Sequence, residues 1–140
     1  MRRSKASCCQ WSWAVERLQR CRHYWVATAD AAGRPHLAAL WGVWFDDAFH
    51  FSTGAESCKA RDLAARAECS VAAEDPVETV VVNGRVERLR DRGRLTAVSA
   101  VYADKYASGV PDSQANPVFA VSPSTVIAVI GREPDIAARG

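Results

Sequence analysis

The first periodic pattern along the chain is that of an amphipathic helix. Apolar residues recur every three to four positions from about Ser12, and charged residues take the opposite side. We therefore predict a helix that ends near His23 or Tyr24. Residues 25–29 then read as a strand, and Gly33 marks the turn that follows because glycine tolerates a positive φ.

Residues 35–45 are apolar on both faces, which predicts one long strand that is covered on both sides. A barrel interior would cover one face, and another element or subunit would cover the other. Trp41 and Trp44 lie an odd number of positions apart, so their side chains should point to opposite faces of the strand. We expect one indole inside the fold, whereas the other needs a partner or a ligand.

The second half of the chain predicts two more helices and most of the remaining strands. The predicted helices are 57–67 and 91–106, and the predicted strands are 48–52, 69–73, 79–88, 119–121 and 126–130. Asn83-Gly84 is expected to mark a bulge or kink in the longest of these strands. Short hairpin connections, such as the one at Asp46-Asp47, imply antiparallel pairing. The fold class is therefore mostly β with peripheral helices, arranged as a small closed barrel.

The length of 140 residues indicates a single domain. We place it at 11–131, between a flexible N-terminus (1–10) and a flexible tail (132–140). The net charge of +2 is too small to indicate a nucleic-acid or membrane partner, and no apolar run approaches the roughly 18 residues of a membrane span. An arginine cluster between positions 85 and 94 is diluted by acidic residues, so we interpret it as a solvated turn.

The five cysteines show no C-x-x-C spacing, and we expect no secretory segment because no apolar run follows the basic residues Arg2, Arg3 and Lys5. This pattern indicates reduced thiols in the cytoplasm. The three histidines have no metal-ligand spacing with one another or with a cysteine, so we predict no metal site. No side chain stands out as an acid, a base or a nucleophile, and the catalytic residues stay unassigned.

The stretch from Phe49 to Leu63 is the strongest local candidate for a binding site. It combines a short strand, a polar loop and the start of a helix that Ser57 would cap. The free amides of a helix N-terminus, together with Lys59 and Arg61, suit a phosphate group. The alternative is an ordinary strand-to-helix junction whose basic residues face solvent.

Five short motifs carry a resemblance to a known family. In chain order they are Arg34-Pro35-His36, Trp41-Gly42-Val43-Trp44, Asp46-Asp47, Phe51-Ser52-Thr53-Gly54 and Ser57-Cys58-Lys59-Ala60-Arg61. Together they resemble the pyridoxamine 5'-phosphate oxidase-like, FMN-binding split-barrel superfamily, and above all its flavin- and deazaflavin-dependent oxidoreductases. The resemblance covers about residues 11–130. It implies a six-stranded antiparallel split β-barrel of Greek-key type that pairs as a homodimer, with cofactor sites in the dimer interface.

The resemblance also implies which residues contact the cofactor. The phosphate would lie near Ser52, Thr53 and Lys59, with Ser57 and Arg61 supporting the same region, and the flavin-like ring would lie along Leu40, Trp41, Gly42 and Val43. Glycine at position 42 would let the ring approach the backbone closely. Either Trp41 or Trp44 would flank the ring, or each would be a core tryptophan.

Cys58 departs from the pattern of the pyridoxamine phosphate oxidases proper, which commonly have arginine before the matching lysine. The change removes one charge-assisted contact to the phosphate. A thiol at a helix N-terminus is either a reactive group or a neutral replacement. The closing stretch of the chain also lacks the tryptophan- and arginine-containing signature of those enzymes, so vitamin B6 is not the predicted substrate.

The resemblance predicts an oxidoreductase that transfers a hydride between bound coenzyme F-420 or FMN and an unknown small organic substrate. We favour F-420 slightly over FMN because of the resemblance to the branch of actinobacterial flavin- and deazaflavin-dependent oxidoreductases and because of the departure at Cys58. Two alternatives remain. One is a non-catalytic split-barrel module that binds a flavin, haem or another hydrophobic small molecule, and the other is a structural dimer with a degenerate site.

Overall fold

Seven strands and three helices make up the described part of the computed structural model, which comprises residues 8–75, 77–107 and 115–129. The helices are α1 (Cys8–Arg20), α2 (Cys58–Ala65) and α3 (Arg92–Tyr106). The strands are β1 (Tyr24–Ala29), β2 (Pro35–Leu40), β3 (Val43–Phe45), β4 (Ala48–Ser52), β5 (Glu68–Ala73), β6 (Thr79–Leu89) and β7 (Val118–Val129).

All the strands belong to one sheet, in the order β2-β1-β5-β6-β7-β4-β3, and every neighbouring pair is antiparallel. The two outermost strands, β2 and β3, are consecutive in the chain, and only Trp41 and Gly42 separate them. The two ends of the sheet must therefore lie close together, so the sheet curls. The fold is the predicted mostly-β split barrel, with seven strands rather than six.

The seventh strand arises because the segment 35–45 is not one strand, as the sequence suggested. It breaks at Trp41 and Gly42, where the chain turns from one edge of the sheet to the other. Side chains of α3 replace the missing strand partners, since Tyr102 donates to the Trp41 carbonyl at 2.8 Å and Tyr106 accepts from the Gly42 amide at 3.1 Å. Local apolar pattern could not show this break because it depends on a helix about 60 positions further along the chain.

The last two predicted strands are also joined differently from the expectation. They form one strand, β7, that continues through Pro123. The register with β6 passes from Asn83 opposite Thr125 to Gly84 opposite Pro123, which leaves Ser124 as an extra residue. The bulge predicted at Asn83-Gly84 is thus confirmed, and it is also the kind of position at which a strand tolerates proline.

Turns and helix caps follow the local sequence closely. Gly33 has φ of 83°, and the two residues of the β3–β4 hairpin, Asp46 and Asp47, have φ of 52° and 56°. Positive φ at both central residues is the geometry that suits the twist of a two-residue hairpin. Ser57 caps α2, as predicted, and Asp91 caps α3 by accepting from the Arg94 amide at 2.9 Å.

The helices and the sheet enclose two groups of buried side chains. The larger group fills the barrel beneath α1 and includes Leu18, Tyr24, Val26, Phe49, Phe51, Val71, Val80, Val82 and Val121. The smaller group lies between α3 and the outside of the sheet and includes Val43, Leu89, Val98, Tyr102 and Val118. Trp44 is 5% exposed in the larger group, and Trp41 is 46% exposed, which confirms the prediction that only one of the two is inside.

The predicted flexible ends fall largely outside the described residues, which exclude 1–7 and 130–140. Cys8 belongs to α1, so the first helix begins about four residues earlier than the expected start near Ser12. None of the helices in the described ranges is long and apolar enough to cross a membrane.

His50 is a buried polar residue at the centre of β4. The side chain is 1% exposed, and its Nδ1 has no hydrogen-bond partner among the described residues. Burial, with a smaller contribution from the positive charge of Arg94, lowers the pKa of His50 from 6.5 to about 4. The folded protein therefore holds this imidazole neutral at pH values where the unfolded chain would protonate it.

Stability should consequently fall in mild acid. Above about pH 6.5 both states are neutral at His50, and between about pH 6.5 and 4 only the unfolded state gains the proton, which costs the folded state up to about 3 kcal/mol. Urea unfolding at a series of pH values measures this slope. His50→Leu should flatten the slope between pH 4 and 6.5, whereas Val80→Ala, which changes a buried side chain without a titratable group, should lower stability without changing the slope. Equal slopes in wild type and His50→Leu would contradict the assignment.

Candidate functional site

The loop between β4 and α2 brings several hydroxyl groups together. Thr53 Oγ1 lies 3.1 Å from Ser57 Oγ, which also accepts from the Ala60 amide at 3.1 Å. Ser52 Oγ donates to the Asn116 carbonyl at 3.0 Å, so the loop is held against the chain that leads into β7. Three of the hydroxyls predicted to bind phosphate therefore occupy one short segment, and two of them are in direct contact.

Unpaired donors and positive charge lie at the same end of α2. The amides of Cys58 and Lys59, its first two residues, have no acceptor within the described ranges. Neither Lys59 nor Arg61 has a carboxylate partner there. Lys59 is half-buried, whereas Cys58 and Arg61 are exposed. Free amides at the positive end of a helix dipole, next to unpaired cations, have the chemistry of an anion site.

Asp62 fixes α2 to the sheet, and sequence reasoning missed it. Its carboxylate is buried and accepts from the Thr28 hydroxyl at 2.7 Å, while Oδ2 lies 2.6 Å from Nδ1 of His36. Burial raises the pKa of Asp62, but the hydrogen bonds with His36 and Thr28 outweigh burial and hold that pKa below its usual value. The helix that would bind the anion is thus tied to both β1 and β2.

The spacing of Ala60, Leu63, Ala64 and Ala67 predicts one apolar face for α2, and this prediction was only partly right. Leu63 is buried, but Ala64 and Ala67 are exposed, and Asp62 takes one of the buried positions. An acidic residue next to Leu63, with a histidine in the preceding Arg34-Pro35-His36 motif, was the signal available for finding the Asp62 anchor.

The last turn of α3 clamps the Trp41-Gly42 junction. Tyr106 donates to the Gly42 carbonyl at 2.8 Å, and Lys105 Nζ donates to the same carbonyl at 3.1 Å. The indole of Trp41 stacks on the Tyr106 ring with the centroids 4.6 Å apart and the planes 2° from parallel. Trp41 is therefore an exposed aromatic surface whose position is fixed from beneath.

Lys105 has an unusual environment for a lysine. Its ammonium also donates to the Tyr24 hydroxyl at 2.7 Å and lies 4.9 Å from the centre of that ring. Burial lowers the pKa of Lys105 to about 8. Lys105 thus supports the Trp41-Gly42 junction by hydrogen bonding. Its lowered pKa also brings its titration closer to neutral pH than that of an ordinary lysine.

Tyr102 connects the two segments that the sequence implicated separately. Its hydroxyl bonds the carbonyl of Trp41, and the backbone of Ser52 approaches the same oxygen. Burial raises the pKa of Tyr102, and the Ser52 backbone hydrogen bond opposes that shift. The Leu40–Val43 segment and the Ser52–Arg61 segment therefore meet at one buried phenol.

Not every predicted ring-lining residue is accessible. Val43 is 1% exposed beneath α3, and Leu40 is half-buried against the barrel core. Gly42 is buried, and a Cβ added there would lie 2.1 Å from the Phe49 ring. Packing against Phe49 within the chain therefore requires glycine at position 42, whether or not a cofactor ring lies against the outer surface of the junction. Of the four residues predicted along the ring, Trp41 alone exposes a large side chain.

The described residues bring no three or more histidine, cysteine, aspartate or glutamate side chains together in an arrangement that could hold a metal ion.

The family model for pyridoxamine 5'-phosphate oxidase matches residues 14–130, most of the chain. The chain belongs to this family. No curated protein matches it in a sequence search.

Solved structures of the pyridoxamine 5'-phosphate oxidase-like superfamily share this fold. An F-420 reductase has a TM-score of 0.66 at 20% identity, over 80% of this chain and 94% of its own. The haem storage protein HutZ from Vibrio cholerae has a TM-score of 0.69 at 18% identity, over 81% of this chain and 89% of its own. A conserved hypothetical protein from Mycobacterium tuberculosis has a TM-score of 0.74 at 19% identity, over 92% of this chain and 89% of its own. Such low identities show the fold alone.

Packing at Gly42 gives a direct test of the junction. Gly42→Ala should destabilise the fold by about 1–3 kcal/mol, because the new methyl group must displace the Phe49 ring. Gly54→Ala is the matched control, since a Cβ there would meet nothing within 4 Å. Urea unfolding compares the two variants with wild type. A loss at Gly42 no larger than at Gly54 would show that the junction is not tightly packed.

Proposed function

We propose that this protein is an oxidoreductase that binds coenzyme F-420 or FMN and transfers a hydride between it and a small organic substrate. One observation carries the proposal: Val43 pairs with His50, so the exposed indole of Trp41 and the anion-binding groups of the 52–61 segment leave the same end of the β3–β4 hairpin. A cofactor with a phosphate and a planar ring has chemistry to match both parts. When bound, such a cofactor supplies the hydride chemistry, and the protein binds and orients it.

The phosphate would be held by the Thr53 and Ser57 hydroxyls, the first amides of α2 and the charge of Lys59, with Ser52 and Arg61 close in sequence. Cys58 lacks the charge of arginine, but its backbone amide is still available at the first position of the helix. The departure at Cys58 thus removes one cation and leaves the amide part of the site intact.

The ring would lie along the Leu40–Val43 segment. Since Gly42 and Val43 are buried, the contact there is with the outer surface of the junction and above all with Trp41. Its indole is already stacked on Tyr106, so little side-chain freedom is lost when a second ring stacks on it. Our slight preference for F-420 over FMN rests on the family branch, and the F-420 reductase among the structural relatives supports it.

We propose a homodimer that forms through the outer face of the sheet. The strand registers align Ala39, Trp25, Ala72, Val81 and Ile127 in one row across five strands. Trp25 is 46% exposed and Ile127 is 51% exposed, and Leu37, at 65%, extends the surface on β2. A continuous apolar row this wide on an antiparallel sheet is typical of a face that another surface covers.

A second copy is the occupant that fits this row. A two-fold axis would bring the same apolar surface against itself, which is how symmetric dimers bury a single patch. The row also ends close to the junction, since Ala39 is two positions before Trp41. A partner seated there would shield the Trp41 surface from water, as hydride transfer requires.

The dimer proposal predicts that charge in the row dissociates the protein. Trp25→Glu and Ile127→Glu should each shift the protein from dimer to monomer in size-exclusion chromatography with light scattering, because the partner face would bury an unpaired carboxylate. Val77→Glu is the control, since Val77 is 48% exposed but lies outside the row. A monomeric wild type, or dissociation of the control alone, would contradict the arrangement.

Lys59 gives the sharpest test of the phosphate site. Lys59→Ala should weaken cofactor affinity by about 1.5–3 kcal/mol, the range for a hydrogen bond to a charged group. Arg92→Ala removes a positive charge from the exposed start of α3 and should leave affinity unchanged. Fluorescence titration of the tryptophans measures both variants. Wild-type affinity in Lys59→Ala would place the phosphate elsewhere.

Titration of the purified protein with F-420 and with FMN tests the function itself. Saturable binding of one of them, followed by substrate-dependent oxidation of the reduced cofactor, is the expected result. Failure to bind either would overturn the oxidoreductase proposal.

A non-catalytic module that binds haem or another hydrophobic molecule is the second candidate, favoured by the haem storage protein among the structural relatives. The described histidines offer it limited support, because His50 is buried and Nδ1 of His36 is held by Asp62. Haemin binding with a shifted Soret band, without binding of F-420 or FMN, would favour this candidate.

The location we propose is the cytoplasm. Cys21, Cys58 and Cys69 are free thiols, and Cys69 is buried with a pKa raised by burial to about 12. Thiols that form no disulfide among the described residues fit a reducing compartment.

A further inference from the structure

A cavity of about 310 Å³ lies between α2 and one end of the barrel. Its lining residues are Ala55, Ala60, Leu63, Ala64, Val86, Arg88, Arg90, Pro117 and Phe119. We call it the α2–β6 cavity. Ala55 and Ala60 come from the 52–61 segment, but none of the groups proposed to hold the cofactor, Trp41, Thr53, Ser57 and Lys59, lines this cavity.

The walls of the α2–β6 cavity are apolar. Leu63 on α2, Val86 on β6 and Phe119 on β7 are 5%, 8% and 7% exposed, so they form fixed walls. Alanines on the loop and on α2 leave the space between them unfilled. A ligand body that touches these surfaces would be a hydrocarbon or an aromatic ring.

Two arginines give the same cavity a positive end. Val86 and Arg88 are two positions apart on β6, so their side chains leave the strand on the same face, and Arg90 follows just beyond the end of the strand. Both arginines are exposed, and neither has a carboxylate partner in residues 8–75, 77–107 and 115–129.

The acidic residues nearest in sequence are already engaged elsewhere. Glu87, on the opposite face of β6, accepts from Arg94 at 3.3 Å. Asp91 caps α3 through the Arg94 amide. Within the arginine-rich turn, the acidic residues therefore bond to residues at the start of α3, whereas Arg88 and Arg90 line the cavity. Composition alone could not show this division.

We propose that the α2–β6 cavity binds a small organic carboxylate with an apolar body. Arginine presents parallel N–H donors that match the two oxygens of a carboxylate, and the apolar walls accept the remainder of the molecule. The volume is at the lower end of the range for ligand pockets, which limits the ligand to a short chain or a single ring. The proposal does not depend on the bound cofactor.

The experiment uses hexanoate as the probe and hexanamide as its uncharged counterpart. Titration of the ¹⁵N-labelled protein should give saturable amide shifts at Ala60 and Ala64 with hexanoate, and much weaker shifts with hexanamide. Arg88→Gln and Arg90→Gln should each weaken hexanoate binding by about tenfold to a hundredfold, as expected for loss of a charged hydrogen bond. Arg92→Gln, in the same run but outside the cavity, should bind hexanoate like wild type.

A second pair of variants tests the cavity without changing charge. Ala64→Leu places a side chain into the cavity and should abolish hexanoate binding, whereas Ala65→Leu adds the same side chain to an exposed position outside it. The proposal is overturned if hexanoate gives no saturable shifts, if hexanamide binds equally, if the shifts map away from α2, or if Ala64→Leu binds like Ala65→Leu. F-420 and FMN affinity should be unchanged in Arg88→Gln, so the two sites can fail independently.

Discussion

The fold depends on a meeting of the two edges of one sheet at Trp41 and Gly42. Since β2 and β3 are the outermost strands and two residues join them, the sheet can exist only in curled form. The backbone groups at this corner have no strand to pair with, and leaving them buried and unpaired would cost about 1–3 kcal/mol each. Helix α3 removes that cost through Tyr102, Lys105 and Tyr106, and the absence of a side chain at position 42 lets Phe49 close the inside of the corner.

The candidate site is a consequence of how this corner is built. The same α3 side chains that satisfy the backbone also fix the Trp41 indole at the surface, stacked on Tyr106. Tyr102 brings Ser52 to the same place, and from Ser52 the chain continues directly into the hydroxyl loop and the N-terminus of α2. An exposed aromatic surface and the candidate anion-binding segment therefore lie at the same corner of the barrel. Without α3, neither the ring segment nor the start of the loop would have a fixed position.

Local chemistry allowed much of the fold to be predicted, and contacts distant in sequence account for what was missed. Ser57 as the cap of α2, the Asp46-Asp47 hairpin and the bulge at Asn83-Gly84 each depend on a few neighbouring residues, and all were confirmed. The break at Trp41-Gly42, the buried Asp62 and the bridging Tyr102 depend on partners 26 to 64 positions away, which no window of sequence displays. The candidate phosphate residues could be proposed from the sequence because they are contiguous. The accessibility of the Leu40–Val43 segment could not be predicted, because glycine at position 42 looks the same in the sequence whether it makes room for a ligand or for Phe49.

The anchoring of the segment from Ser52 to Asp62 gives it a mechanical role as well. One end is fastened to the chain before β7 by Ser52 and Ala55, and the other end is fastened to β1 and β2 through Thr28 and His36. β7 lies in one half of the sheet order, and β1 and β2 lie in the other, so the segment links the two halves at one end of the barrel. Relative motion of the two halves of the sheet would strain the hydrogen bonds at the ends of this segment. An anion bound to this segment would restrain a link between the two halves, so binding of the anion and rigidity of the barrel would be thermodynamically coupled.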